Sequence, residues 1–127
     1  MAMVAGVAAI DELRRRRGDY SKINQMGDTF RSRLNNLFDE KGFLGLATGT
    51  GSIIFVSMLK NRIAPPLTAQ KIGEVIDHDR LDQFQSILMQ EGVFGYHGLG
   101  ALSFSHSEGD LTKTFDAIEI AVESLDG

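Results

Sequence analysis

The side chains able to do chemistry in this chain are few and dispersed. Five lysines, Lys22, Lys41, Lys60, Lys71 and Lys113, offer amines, while His97 and His106 offer imidazoles and Ser103, Ser105 and Ser107 offer hydroxyls. A lysine becomes a nucleophile when it is desolvated or set beside another cation, and a strand end is a common place for that. Only Lys60 follows a stretch that reads as a strand. His97 and His106 have the residue type for metal ligation or general base work, but no Asp or Glu cluster accompanies them at ligand spacing, so no metal site is expected. The serines lack an acid-base partner nearby in sequence. Gly45, Gly49 and Gly51 superficially suggest a phosphate loop, yet no Gly-Lys-Ser/Thr follows and the next run is β-forming. They read as turn glycines. His97 lies in the Gly-rich stretch His97-Gly98-Leu99-Gly100, and loops carry sites, so it is the histidine singled out as a functional candidate. No catalytic residue is expected in this chain.

The elements that must position these residues follow from hydrophobic spacing. Met3, Val4, Val7, Ile10 and Leu13 recur at helical intervals, which predicts a helix over residues 1–17 with Arg14 to Arg17 in its last turn and Gly18 as C-cap. The four arginines read as a solvated helix end. Ile23, Met26, Phe30, Leu34 and Leu37 predict a second helix from Asp19 or Ser21 to Glu40, ended by Gly42. Leu44 to Thr48 and Ile53 to Met58 then read as two strands around Gly49 and Gly51. A loop over Asn61 to Leu67 carries Pro65 and Pro66. A helix is clearest from Leu81 to Glu91 and closes at Gly92, with strands expected at Val93–Tyr96 and Ala101–Ser105. Ser107, three residues before Asp110, reads as the N-cap of a last helix whose stripe is Leu111, Phe115, Ile118, Val122 and Leu125. This order predicts an α+β fold, helices packed on a small, mostly antiparallel sheet.

Composition narrows the function classes. With 127 residues the chain suits a single domain, 1–127, and needs no covalent staple to bury a core. It has no cysteine, which removes disulfides and thiolate chemistry and fits a cytoplasmic setting. A formal net charge of −4 argues against a nucleic-acid partner. No apolar stretch approaches the ~20 residues of a membrane span. The apolar start lacks a basic n-region, so it reads as helix rather than signal peptide.

Four stretches resemble, in order and separation, the C-terminal small domain of class III pyridoxal-phosphate aminotransferases, most closely the glutamate-1-semialdehyde aminomutase branch. Met1 to Ala9 resembles the helix that follows an Asn-Pro pair in those enzymes. Gly49-Thr50-Gly51-Ser52-Ile53 resembles a Gly-x-Gly-Ser-Met turn, with Ile in the Met position. Leu88 to Phe94 resembles a Leu-x-x-x-Gly-Val-Tyr passage, and Leu102 to Leu111 resembles a strand ending in Ala-His-Thr-Glu-Glu-Asp-Ile. One departure is local: between Gly92 and His106 the segment is shorter than the common pattern and lacks its Pro-Ser and Glu landmarks.

That resemblance implies a fragment of a larger enzyme. In such enzymes a large domain holds pyridoxal phosphate as a Schiff base on a lysine. None of the motifs around that lysine is present here, and Lys60 lacks both the aspartate-bearing strand before it and the Gly-rich segment after it. The small domain is expected to help close the substrate entrance, for which Gly51, Ser52 and His97 are the candidates, and to be inactive alone. By the same resemblance His106 has a structural role beside the terminal helix. The first helix would lie near the large domain and the dimer interface, so an isolated chain is expected to form a homodimer through Val4, Val7 and the small residues Ala5, Gly6 and Ala9. The alternative reading is a stand-alone interaction or self-association module derived from that domain.

Overall fold

A computed structural model describes residues 1–95 and 98–126, with the side chains of Leu99 and Asp126 excepted. Helix α1 (Ala2–Arg15) and helix α2 (Arg17–Lys41) are separated by Arg16 alone, at φ −98° and ψ 25°. The boundary expected at Gly18 thus falls too late. Gly18 sits inside α2 and is not among the left-handed glycines, so it supplies no cap. The junction is held instead by Phe104, whose ring meets Tyr20 edge-on with centroids 5.2 Å apart while the Arg16 guanidinium lies 5.2 Å over it. Gly42 does end α2: at φ 62° it turns the chain so that the Phe43 amide reaches the Phe38 carbonyl at 2.8 Å.

Strands β1 (Gly45–Thr48) and β2 (Ile53–Met58) form a hairpin, and β3 (Leu99–Ala101) adds to the other edge of β2, giving an antiparallel sheet ordered β1-β2-β3. Between β2 and β3 lie α3 (Ala69–Val75), capped by Thr68, and α4 (His78–Gln90), capped by Asp77. The helix read as clearest from Leu81 to Glu91 is α4, broken off from the shorter α3 before it. Its break is fixed by the sheet: the Asp77 amide donates to Met58 O at 2.8 Å and the Lys60 amide to Val75 O at 2.7 Å, which draws Ile76 into a bridge with Leu59. Helix α5 (Glu108–Asp126) closes the fold on the Ser107 cap.

Helices α2, α4 and α5 cover one face of the sheet. The alternation of β2 shows the layering, because Ile54, Val56 and Met58 are buried whereas Ile53 and Phe55 stay exposed on the opposite face. Phe38, Phe84, Leu34 and Val122 are almost fully enclosed against them. Each such side chain stabilises the fold by roughly 1.5–3 kcal/mol. Helix α1, by contrast, has no buried residue.

The two strands expected after α4 are not formed as read. Val93 belongs to the end of α4, where Gly92 is left-handed at φ 83° and the Val93 amide returns to Leu88 O at 2.8 Å, so that amide cannot enter a ladder. Residues 93–95 carry no strand, and Tyr96 lies outside the described residues. At the second site, only Ala101 is in a strand. The Ser103 amide donates to His106 Nδ1 at 2.9 Å and the Ser105 amide to Ser103 Oγ at 3.2 Å, and these local bonds turn the backbone out of the sheet.

Candidate functional site

The turn joining β1 to β2 holds two of the three candidate residues, Gly51 and Ser52. Its conformation demands glycine: Gly49 has φ 133° and Gly51 φ 56°. What fixes it comes from α2. The buried Arg31 guanidinium donates from Nη1 to Gly51 O at 2.7 Å and Ile53 O at 2.6 Å, and from Nη2 to Asp28 Oδ1. Three acceptors compensate the desolvation of a cation that would otherwise be costly. One turn along the helix, Asn35 donates to Ala47 O at 2.9 Å and accepts from the Ala47 amide at 2.8 Å. Gly27 completes the seat, since a Cβ there would overlap the Gly51 carbonyl.

His97 lies outside the described residues, and its neighbour Gly98 accepts from the Val56 amide at 2.8 Å. Ser52, at the other end of β2, accepts from the Leu102 amide at 2.9 Å. Four residues of strand, roughly 13 Å, separate the two levels. Gly51 and Ser52 thus form one locus, and Gly98 marks a second.

Near the second passage, His106 is exposed and its Nδ1 accepts from the Ser103 amide, which places the proton of the neutral ring on Nε2. The ring stabilises the turn before α5. Ser107 and Asp110 cap each other: the Ser107 amide reaches Asp110 Oδ2 at 2.8 Å and the Asp110 amide reaches Ser107 Oγ at 3.2 Å. The backbone bond from Ser107 and then that from its hydroxyl hold the Asp110 carboxyl below its usual range against desolvation, with lesser help from His106 and Lys113.

A pyridoxal-phosphate site needs a lysine amine held out of water and donors around a phosphate. All five lysines are exposed; Lys41 pairs with Glu123 at 3.3 Å and Lys71 donates to Pro66 O at 3.1 Å. Lys60, at the end of β2, is exposed as well. These lysines do not fit the cofactor. Among the described residues no three His, Asp or Glu side chains converge on a metal-sized site, and no helix is long and apolar enough to cross a membrane.

Sequence reading missed Arg31 and Asn35, the residues that position the turn. Their signal was available: two polar residues four apart, interleaved with Phe30, Leu34 and Phe38 on the buried side of a helix. Such residues face the core and need acceptors there.

Comparison with known proteins agrees with this architecture. No family model matches the chain. It is 28% identical over 128 residues to the glutamate-1-semialdehyde 2,1-aminomutase of Methanosphaera stadtmanae, a match covering 98% of this chain and 29% of that protein. The glutamate-1-semialdehyde 2,1-aminomutase 2 of Lachnoclostridium phytofermentans is 29% identical over 122 residues, covering 94% and 28%. In structure, the chain resembles an omega-transaminase from Sphaerobacter thermophilus with a TM-score of 0.78 at 23% identity, covering 98% of this chain and 28% of that one. A beta-phenylalanine aminotransferase from Variovorax paradoxus gives a TM-score of 0.71 at 19% identity, covering 81% and 23%. The chain therefore spans less than a third of the length of these relatives. Over that span it is similar, in sequence to the aminomutases and in fold to the transaminases, to the C-terminal small domain of class III pyridoxal-phosphate enzymes.

Proposed function

We propose that this chain works as the C-terminal domain of a pyridoxal-phosphate-dependent aminotransferase or glutamate-1-semialdehyde aminomutase-like enzyme, where it helps to close the substrate entrance. The observation that carries this reading is the near-complete match of the chain to a constant 28–29% of the aminomutases. On this reading residues 1–127 act as one domain, and the cofactor, with the lysine that binds it, belongs to a larger domain in the cytoplasm. This chain contributes positioning and exclusion of water, the usual work of a closing domain. Gly51 and Ser52 serve at the entrance because Arg31 holds their turn rigid from behind, and His97 is the proposed contact from the second locus.

The surface of the chain supports a missing partner. Val4, Val7 and Ile10 on α1 are 70%, 60% and 52% exposed, and the apolar pair Ile53 and Phe55 is uncovered on the outer sheet face. Apolar surface of this extent seeks cover. The large domain is one proposed cover, and a second copy pairing through α1 is the other. That exposure also favours the second reading, a self-association module.

A chimera tests the first reading. In the Thermus thermophilus glutamate-1-semialdehyde aminomutase, another relative at 26% identity, the matching segment is replaced by this chain. The expected product binds pyridoxal phosphate and retains measurable turnover, and Ser52→Phe raises its KM with a smaller effect on cofactor affinity. A soluble chimera that binds the cofactor yet never turns over would count against the reading.

A further inference from the structure

The inward-facing side of β3 lacks the side chains that the inward-facing side of β2 has. Antiparallel partners share a face, and here Gly100 stands opposite Ile54 while Gly98 is bonded to Val56. Ile54 and Val56 are buried, with 6% and 8% exposure, whereas Gly98 is half-buried and Gly100 exposed, so the space beside these glycines opens to solvent.

The two glycines have different reasons. Gly98 is obligatory: its φ is 80°, and a Cβ would collide with the Val56 carbonyl. Gly100 is not. It has no left-handed φ, and among the described residues a Cβ built on it comes no nearer to any neighbour than 3.9 Å, to Ile54 O. The backbone would accept a larger residue at this position. The space left open is a cavity of about 170 Å³ between the sheet, α4 and α5, walled by Phe30, Phe84, Leu88, Leu111 and Ile118, with the 76% exposed Phe94 at its rim.

We infer that this cavity is a binding site for a neutral, single-ring aromatic molecule. The volume is that of a single ring, since an enclosed apolar cavity of about 150 Å³ takes up benzene, and here the mouth beside Phe94 and Gly100 gives the ring its way in. The lining selects against anions, since the Asp110 carboxylate is part of it. This site is separate from the Gly51–Ser52 turn, although Gly98, which marks the second locus, lines it. A filled cavity restores the dispersion contacts that an empty one forfeits, so occupancy stabilises the fold.

Thermal melts of the 127-residue chain with toluene and with benzoate provide the test. Toluene at about ten times its Kd is expected to raise the melting temperature by roughly 4–6 °C, saturably, and benzoate to leave it unchanged. Gly100→Leu, which puts a side chain into the space, should abolish the toluene shift. If that variant does not fold, Gly100→Ala decides, with a toluene Kd weakened several-fold. The inference is overturned by the absence of a saturable shift, by an equal shift with benzoate, or by a shift that persists unaltered in Gly100→Leu or, failing that, Gly100→Ala. It is overturned equally by a shift that disappears as protein concentration rises, which would mean that a second copy covers the cavity.

Discussion

Asn35 treats Ala47 as a neighbouring strand would, donating to its carbonyl at 2.9 Å and accepting from its amide at 2.8 Å. The register explains the need. Ala47 lies between the positions of β1 that bond to β2, so its own amide and carbonyl point away from the sheet. Asn35→Leu removes both partners at once and should cost about 2 kcal/mol, read as a lower urea midpoint with faster hydrogen exchange at the Ala47 amide. Unchanged protection at Ala47 would show that water substitutes fully for Asn35.

Two glycines of α2 should respond oppositely to the same substitution. Gly18 has open space where a methyl group would go and lies in a helix, so Gly18→Ala should stabilise the protein by roughly 0.5–1 kcal/mol. Gly27 faces the Gly51 backbone, and there steric overlap outweighs helix propensity: Gly27→Ala should destabilise by about 1–3 kcal/mol. Melting temperatures of the pair suffice. Two shifts of the same sign would remove the close approach of α2 to the turn.

Acid should act on the α5 cap. A carboxyl whose folded pKa is depressed contributes stability that is present above its unfolded value, about 3.9, and lost as the pH falls through the folded value. Asp110 is depressed by its Ser107 bonds. The stability difference between the parent and Asp110→Asn is therefore expected to be constant from pH 7 to about pH 5 and to shrink below about pH 4. A difference that grows on acidification would contradict the assignment.

Borohydride reduction after incubation with pyridoxal phosphate should label no single lysine stoichiometrically, because every lysine is exposed and none is desolvated in a pocket. Low, distributed labelling is the expected mass-spectrometric result. One mole of label on Lys60 would overturn the reading that the cofactor belongs elsewhere.

Sedimentation equilibrium addresses the pairing proposed for α1. The parent chain should associate as a dimer, and Val7→Glu should leave it monomeric with its far-UV spectrum intact, since Val7 is not buried within its own chain. A parent that stays monomeric at high concentration would refute pairing through α1.

What could be read in advance was whatever rests on local spacing. The stripes from Phe30 to Leu37 and from Leu111 to Val122, the Gly42 stop, the Ser107 cap and both strands of the first hairpin follow from periodicity and capping, and the structure contains them all. Failures occurred where a distant group decides. Leu99 and Gly100 read as part of a glycine-rich loop, with strand expected only from Ala101, yet β2 recruits both into β3 through its backbone. Gly18 reads as a stop, but a glycine caps a helix only when it turns left-handed, and here the break falls on Arg16. The same limit applies to the site. The Gly49 to Ser52 turn was legible, whereas the arginine and asparagine that hold it came from a helix some twenty residues earlier, a relation that spacing does not encode.

The Asn35 plug has a further consequence, for polymerisation. With Ala47 occupied, the β1 edge of the sheet offers an incoming strand less than a bare edge would, which favours the short β3 edge. Suppose two copies met edge to edge at β3, related by a two-fold axis. They would make a six-stranded sheet with a blocked β1 at each end, and no third copy could join. A pair formed in this way would be self-terminating, because Asn35 holds Ala47 at each of its outer edges.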